Sequence, residues 1–143
     1  MITLTDLYTA ANALLQTKYG VAEYHYYGQE VREGYKTPSF FVDIIPKICS
    51  NESINYKHKA FTIMITYFPK VTSEIDNLTK ANEIIELFGY ILPVKERKIP
   101  VTDTSYDFAG NNNDVLQVSI EIEYYEAVER PDTSKIASEV NIK

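Results

Sequence analysis

Leu4, Leu7, Tyr8, Ala11, Leu14 and Leu15 recur at the spacing of one helix face, which predicts an amphipathic helix over about residues 4–18. Thr3, three positions before Asp6, suits a capping box, and Gly20 stands where a helix would stop. The aromatic run Glu23-Tyr24-His25-Tyr26-Tyr27, ended by Gly28, reads as a short strand. After a polar stretch from Gln29 to Thr37, Pro38 opens Ser39-Phe40-Phe41-Val42-Asp43-Ile44-Ile45-Pro46. In a strand, Phe40, Val42 and Ile44 share one face while Phe41, Asp43 and Ile45 share the other. Both faces are largely apolar, so this strand is either central to the fold or covered on its second face by a partner.

A polar turn at Ser50 to Asn55 leads into a long strand from Tyr56 to Phe68, in which Phe61, Ile63, Ile65 and Tyr67 alternate with Thr62, Met64, Thr66 and Phe68. Ser73 is placed to cap a second helix ending near Phe88. Its apolar stripe is Ile75, Leu78, Ala81, Ile84, Ile85 and Phe88, with Gly89 at the C-cap. Ile91-Leu92-Pro93 is expected to be irregular and Ile99 to Phe108 a strand. A turn cluster at 109–114 then precedes Val115 to Tyr125, where Leu116, Val118, Ile120, Ile122 and Tyr124 oppose Gln117, Ser119, Glu121 and Glu123. That pair is expected to be an antiparallel hairpin with one wet face. The fold class that follows is α+β, a mostly antiparallel sheet packed on one face by two helices, as a single domain over 1–128 with a flexible tail over 129–143.

With 143 residues there is room for one core. Lys and Arg number 14 against 20 Asp and Glu, and the net charge of −6 argues against a protein held to nucleic acid by phosphate contacts. A single cysteine, Cys49, provides neither an internal disulfide nor a zinc framework. No apolar run is long enough for a membrane helix and no export signal is visible, so synthesis in the cytosol is expected.

Catalytic patterns are scarce. The five glycines form no phosphate-cradling loop. His25 lies in an aromatic strand, and His58 sits between Lys57 and Lys59, with no nucleophile motif beside either. Glu121/Glu123 and Glu83/Glu86 could serve as acid–base pairs, but their positions fit the solvated face of a strand and of a helix. No metal, cofactor or enzymatic activity is expected. What stands out is 12 tyrosines, more than core packing alone accounts for, and tyrosine suits interfaces because an apolar ring carries a polar tip.

Three segments bring a resemblance into view: Gly34-Tyr35-Lys36-Thr37-Pro38-Ser39-Phe40-Phe41-Val42-Asp43-Ile44-Ile45-Pro46; Tyr56-Lys57-His58-Lys59 leading to Ile63-Met64-Ile65-Thr66-Tyr67-Phe68-Pro69; and Val115-Leu116-Gln117-Val118 running into Tyr124. Over residues 1–126 the chain resembles the tail terminator proteins of phages and prophages of Gram-positive bacteria. The resemblance implies a structural subunit of the virion tail, made in the bacterial cytoplasm, that assembles as a hexameric ring on the tail tube. Such a ring ends tube polymerisation and joins the tail to the neck or head. Implied partners are further copies of the chain, the tube protein, and a neck, head-completion or sheath protein. A phage-tail-like bacteriocin would use the same part.

The resemblance supplies no residue-level site. By position, subunit or tube contacts are expected in the polar loop and the start of the long strand, at Tyr26, Tyr27, Gln29, Arg32, Tyr35, Lys36, Tyr56, Lys57 and Lys59. Two alternatives stand beside this reading. One is a head–tail connector or tail completion protein. The other is a small ligand-binding or enzymatic α+β domain with a pocket near Tyr24 to Tyr27.

Overall fold

The computed structural model describes residues 2–28, 34–71, 73–109 and 115–128. In chain order the elements are α1 (Leu4–Tyr19), β1 (His25–Tyr27), β2 (Ser39–Asn51), β3 (Tyr56–Phe68), α2 (Glu74–Phe88), β4 (Ile91–Val94), β5 (Arg97–Ala109) and β6 (Val115–Ala127). Six strands form one sheet in the order β1-β2-β3-β6-β5-β4. Only β1 and β2 run parallel, and the remaining neighbours are antiparallel. The expected α+β class and the covered face are therefore present: α1 packs against β2 and β4, α2 against β5 and β6, and the helices touch each other.

Local chemistry explains the helix ends. The Thr3 hydroxyl accepts from the Asp6 backbone N–H, and the Asp6 carboxylate accepts from the Thr3 N–H, which satisfies two donors that the first turn leaves unpaired. Lys95 adds an ion pair to the same carboxylate at 2.9 Å, tying the β4–β5 turn to the start of α1. The Asp6 carboxyl is consequently held down at about 2, first by the backbone hydrogen bond and then by Lys95. Ser73 caps α2 through Asp76 N–H at 3.2 Å.

Strand alternation builds the core. Val42, Ile63, Ile65, Leu116, Val118, Ile120 and Ile122 point to the helices and are buried, where they meet Leu7, Ala11 and Leu15 of α1 and Ala81, Ile84 and Phe88 of α2. One strand was not expected. Ile91–Val94 pairs with Arg97–Ile99 and Pro100 as β4, with Leu92 and Val94 buried and Ile91 and Pro93 exposed. Pro93, which lacks an N–H, is tolerated because β4 lies at the edge of the sheet.

The second departure lies in α2. Ile75 is 77% exposed and Leu78 44%, whereas Asn77 and Lys80 are buried. The expected apolar stripe is followed only from Ala81 onward. In the first two turns the helix is rotated so that polar side chains reach an aromatic cluster and two apolar ones face outward. The expected C-terminal tail and most of the β5–β6 turn lie outside the described residues.

Candidate assembly surfaces

At the β1–β2–β3 end, successive strand residues send aromatic rings to opposite faces of the sheet. On the helix side, Phe40 stacks with Tyr19, Tyr24, Tyr26 and Tyr67 at centroid distances of 4.9, 5.6, 5.7 and 5.0 Å. The Lys80 ammonium lies 5.3–5.5 Å from the ring centres of Tyr19, Tyr24 and Tyr67 and 3.2 Å from Asp76. Aromatic faces and a carboxylate together compensate the buried charge. Burial acts to lower the Lys80 pKa, but its hydrogen bonds to Tyr24 and Asp76 outweigh this and raise it. Tyr67 donates to Asp76 at 2.8 Å, and burial followed by that contact pushes its hydroxyl far above the ordinary tyrosine value. This cluster locks α1, α2 and the sheet together, and the charge is used for packing.

On the opposite face, Tyr27, Tyr35, Phe41 and Phe68 form a second cluster. Tyr35 lies 5.2 Å from Phe41 and 5.0 Å from Phe68, and Tyr27 and Phe68 each lie 5.2 Å from Phe41. The Lys36 backbone N–H donates to the Tyr27 hydroxyl, pinning the chain that leads into β2 across these rings. No helix among the described residues covers them. Further along this face come Met64 and Thr66 of β3, and Gln117, Ser119, Glu121 and Glu123 of β6. Asp103, Ser105 and Asp107 of β5 complete it. This face is aromatic at one end and polar to acidic beyond.

The side chains expected at an interface are divided by this geometry. Tyr27, Tyr35 and Lys36 come together on the uncovered face. Tyr26 belongs to the covered side: its ring stacks on Phe40, and its hydroxyl donates to the Gly20 carbonyl at 2.6 Å. Tyr56 and Lys57 stand at the far end of β3, with Tyr56 54% exposed. Lys59 is buried, with its ammonium 2.8 Å from Glu126, whose other oxygen accepts the Ile2 backbone N–H at 2.8 Å. Gln29 and Arg32 lie outside the described residues.

His58 is the histidine with charged neighbours. His58 stacks on Tyr125 at 4.7 Å and pairs with Glu123 and, at 3.4 Å, with Glu52, while Ser50 opposite it in β2 donates its hydroxyl to that same Glu52 at 3.3 Å, so both ring nitrogens face carboxylates. Beside Tyr26, a groove of about 310 Å³ along α1 is lined by Tyr8, Thr9, Asn12, Ala13 and Gln16, without His25 or a carboxylate. Groups of three or more His, Cys, Asp or Glu able to hold a metal ion are absent among the described residues. No helix among them is long and apolar enough to cross a membrane.

The sequence pattern offered one signal for the uncovered cluster, the apolar residues on both faces of β2. It offered none for the rotation of α2, because Lys80 earns its burial only from rings contributed by three other elements.

Comparison with known proteins settles the family. No curated protein matches the chain. Among the solved structures that match, one is similar at 11% identity with a TM-score of 0.47, covering 92% of this chain and 100% of its own, a likeness too distant to add to the argument. The family profile described as phage tail terminator protein matches residues 6–134, nearly the whole chain. The chain belongs to the phage tail terminator family.

Proposed function

We propose that this chain is the subunit of a hexameric ring that caps the tail tube, ends its polymerisation and forms the joint to the neck or head. The observation that carries the reading is the uncovered sheet face, set beside the family membership. A strand with aromatic residues on both sides requires two covers, and helices supply only one of them. The Tyr27–Tyr35–Phe41–Phe68 cluster, with Lys36 beside it, is the surface we assign to the tube protein. Tyrosine and phenylalanine side chains there give a partner large contact area at low rotamer cost. The acidic chain, with a net charge of −6, suits a passage that DNA must traverse without adhering.

Light scattering of the purified protein, alone and mixed with its cognate tube protein, tests this. A six-fold mass, or tubes of fixed length carrying a ring, is the expected result. A monomer that neither binds the tube nor limits its growth would overturn it.

A further inference from the structure

The two long edges of the sheet are finished differently. Among the described residues no strand flanks β2 beyond Phe41 or β5 beyond Pro100. The β2 edge is blunted: Pro46 lacks an N–H, the register slips between Pro46 and Ile48, and Lys47 crosses to Glu121 at 2.6 Å. β5 slips once, between Val101 and Asp103, where the Val101 N–H donates to the Tyr90 carbonyl at 2.8 Å. From Asp103 to Ala109 it stays in register with β6 and contains neither proline nor lysine, and Ser105, Tyr106 and Asp107 at its middle are exposed. Every second residue of such a strand turns its N–H and C=O away from the neighbouring strand, so this stretch offers a row of backbone donors and acceptors to whatever lies alongside.

The side chains along this edge narrow the choice of occupant. Asp103 and Asp107 stand on the uncovered face, about 13 Å apart at the rise of a strand, and each accepts the backbone N–H of the residue that follows it. Asp103 also faces Glu121 across the ladder, a like charge whose own cation is Lys47. On the other face the rings of Tyr106 and Phe108 meet at 6.0 Å. Two β5 edges paired antiparallel about Ser105 would set Asp103 of each copy against Asp107 of the other, and the blunted β2 edge offers a neighbouring copy no better strand. Nucleic acid phosphates would be repelled. The uncovered face, meanwhile, reaches this edge from the aromatic cluster in one row, since Phe41, Thr66, Gln117 and Asp107 are successive neighbours across β2, β3, β6 and β5. We propose that the β5 edge from Asp103 to Ala109 takes an extended segment of the tube protein as a further strand, with Lys or Arg of that segment facing Asp103 and Asp107 and an apolar residue against Tyr106 and Phe108. The backbone row supplies attachment, and the alternating side chains supply selectivity.

This inference rests on the tube reading, and the experiment separates the two. Hydrogen exchange of the full chain is measured alone and bound to its cognate tube protein. The outward-facing amides between Thr104 and Ala109 should slow at least about tenfold on binding. Thr104→Pro and Ser105→Pro remove two consecutive N–H groups, one facing β6 and one facing outward. The variant that loses the outward N–H should keep the circular dichroism spectrum and lose tube binding at least about tenfold, while Ser105→Ala keeps both. Should both proline variants unfold, the exchange result decides alone. Asp103→Asn combined with Asp107→Asn should slow association with the tube protein and flatten its dependence on salt. Unchanged β5 exchange in a complex that does form overturns the added strand and leaves the tube reading standing. An association rate that the two asparagines leave unchanged overturns the cationic occupant. Outward β5 amides that slow with protein concentration in the absence of tube protein would assign the edge to a second copy and overturn the proposal. Failure of the unmodified protein to bind the tube overturns both.

Discussion

Phe40 and Phe41 are neighbours in one strand, and each anchors an aromatic cluster, but their surroundings differ. Phe40 is fully buried beneath two helices, among four tyrosines and an ammonium held by a carboxylate. Phe41 is only half-buried, and the rings beside it come from the sheet and the segment leading into it. The covered cluster has a lid, ion pairs and capped helix ends, all of which serve stability. The uncovered one has the same kind of side chain without a lid. That difference teaches where to look for partner contacts: aromatic area that the chain's own helices do not bury is area available to another molecule.

The comparison can be broken most forcefully from the covered side. Ile63→Ala and Ile120→Ala each remove a fully buried side chain from under the helices and should cost about 3–4 kcal/mol in urea unfolding. A loss below about 1 kcal/mol would mean that this face is not the tightly packed one.

A smaller effect is expected where a buried charge loses its counterion. Lys59→Met leaves Glu126 buried without its ammonium and should cost about 3 kcal/mol at neutral pH. Burial acts to raise the Glu126 pKa, but the Lys59 and Ile2 hydrogen bonds and the Lys59 charge outweigh it and hold the carboxyl below its ordinary 4.5. Its folded pKa is therefore depressed. The stabilisation is complete above 4.5 and is lost as pH falls through the lower folded value. Asp6 adds a loss in the same direction between 3.8 and about 2. Urea midpoints measured from pH 7 down to 2 should fall mainly below about 4.5 in the wild type. With Lys59→Met the share of this fall that belongs to Glu126 should shrink or turn into a gain on acidification, since burial then raises its folded pKa with only the Ile2 hydrogen bond and the N-terminal charge against it.

Lys80→Met tests whether the caged lysine is worth its burial. The ammonium's contacts with three rings and Asp76 would be exchanged for an apolar chain of similar length. A destabilisation of about 1–2 kcal/mol in urea unfolding is expected, less than for Lys59 because Asp76 stays partly solvated. Neutrality would show that the aromatic cage, and not the charge in it, joins the helices.

The smallest change in stability belongs to the uncovered face, and it sharpens the contrast. Ser119→Ala and Thr66→Val should shift stability by no more than about 0.5 kcal/mol. Tyr35→Ala is expected to leave a folded protein while reducing capping of the tube protein in a length-distribution assay. If it unfolds the chain and Ile63→Ala does not, the roles of the two faces are reversed.

Much of this arrangement was legible in the order of residues. Apolar spacing located α1, β2, β3 and β6 to within a residue or two at most ends, and the Thr3–Asp6 and Ser73 caps marked both helix starts, because these features depend on neighbours three or four positions away. The two apolar faces of β2 also announced a surface needing a second cover. What the sequence could not decide depended on groups distant along the chain. Lys80 is buried because Tyr19, Tyr24, Tyr67 and Asp76 converge on it from α1, the segment before β1, β3 and α2. Once it turns inward, Ile75 and Leu78 must turn outward, and helical periodicity alone cannot foresee that rotation. Lys59 was expected at a contact surface for the same reason: its partner Glu126 is 67 residues away and meets it only when β3 and β6 pair. Local spacing determined the elements of this protein, while long-range polar pairing in a low-dielectric interior decided which of their faces remained exposed.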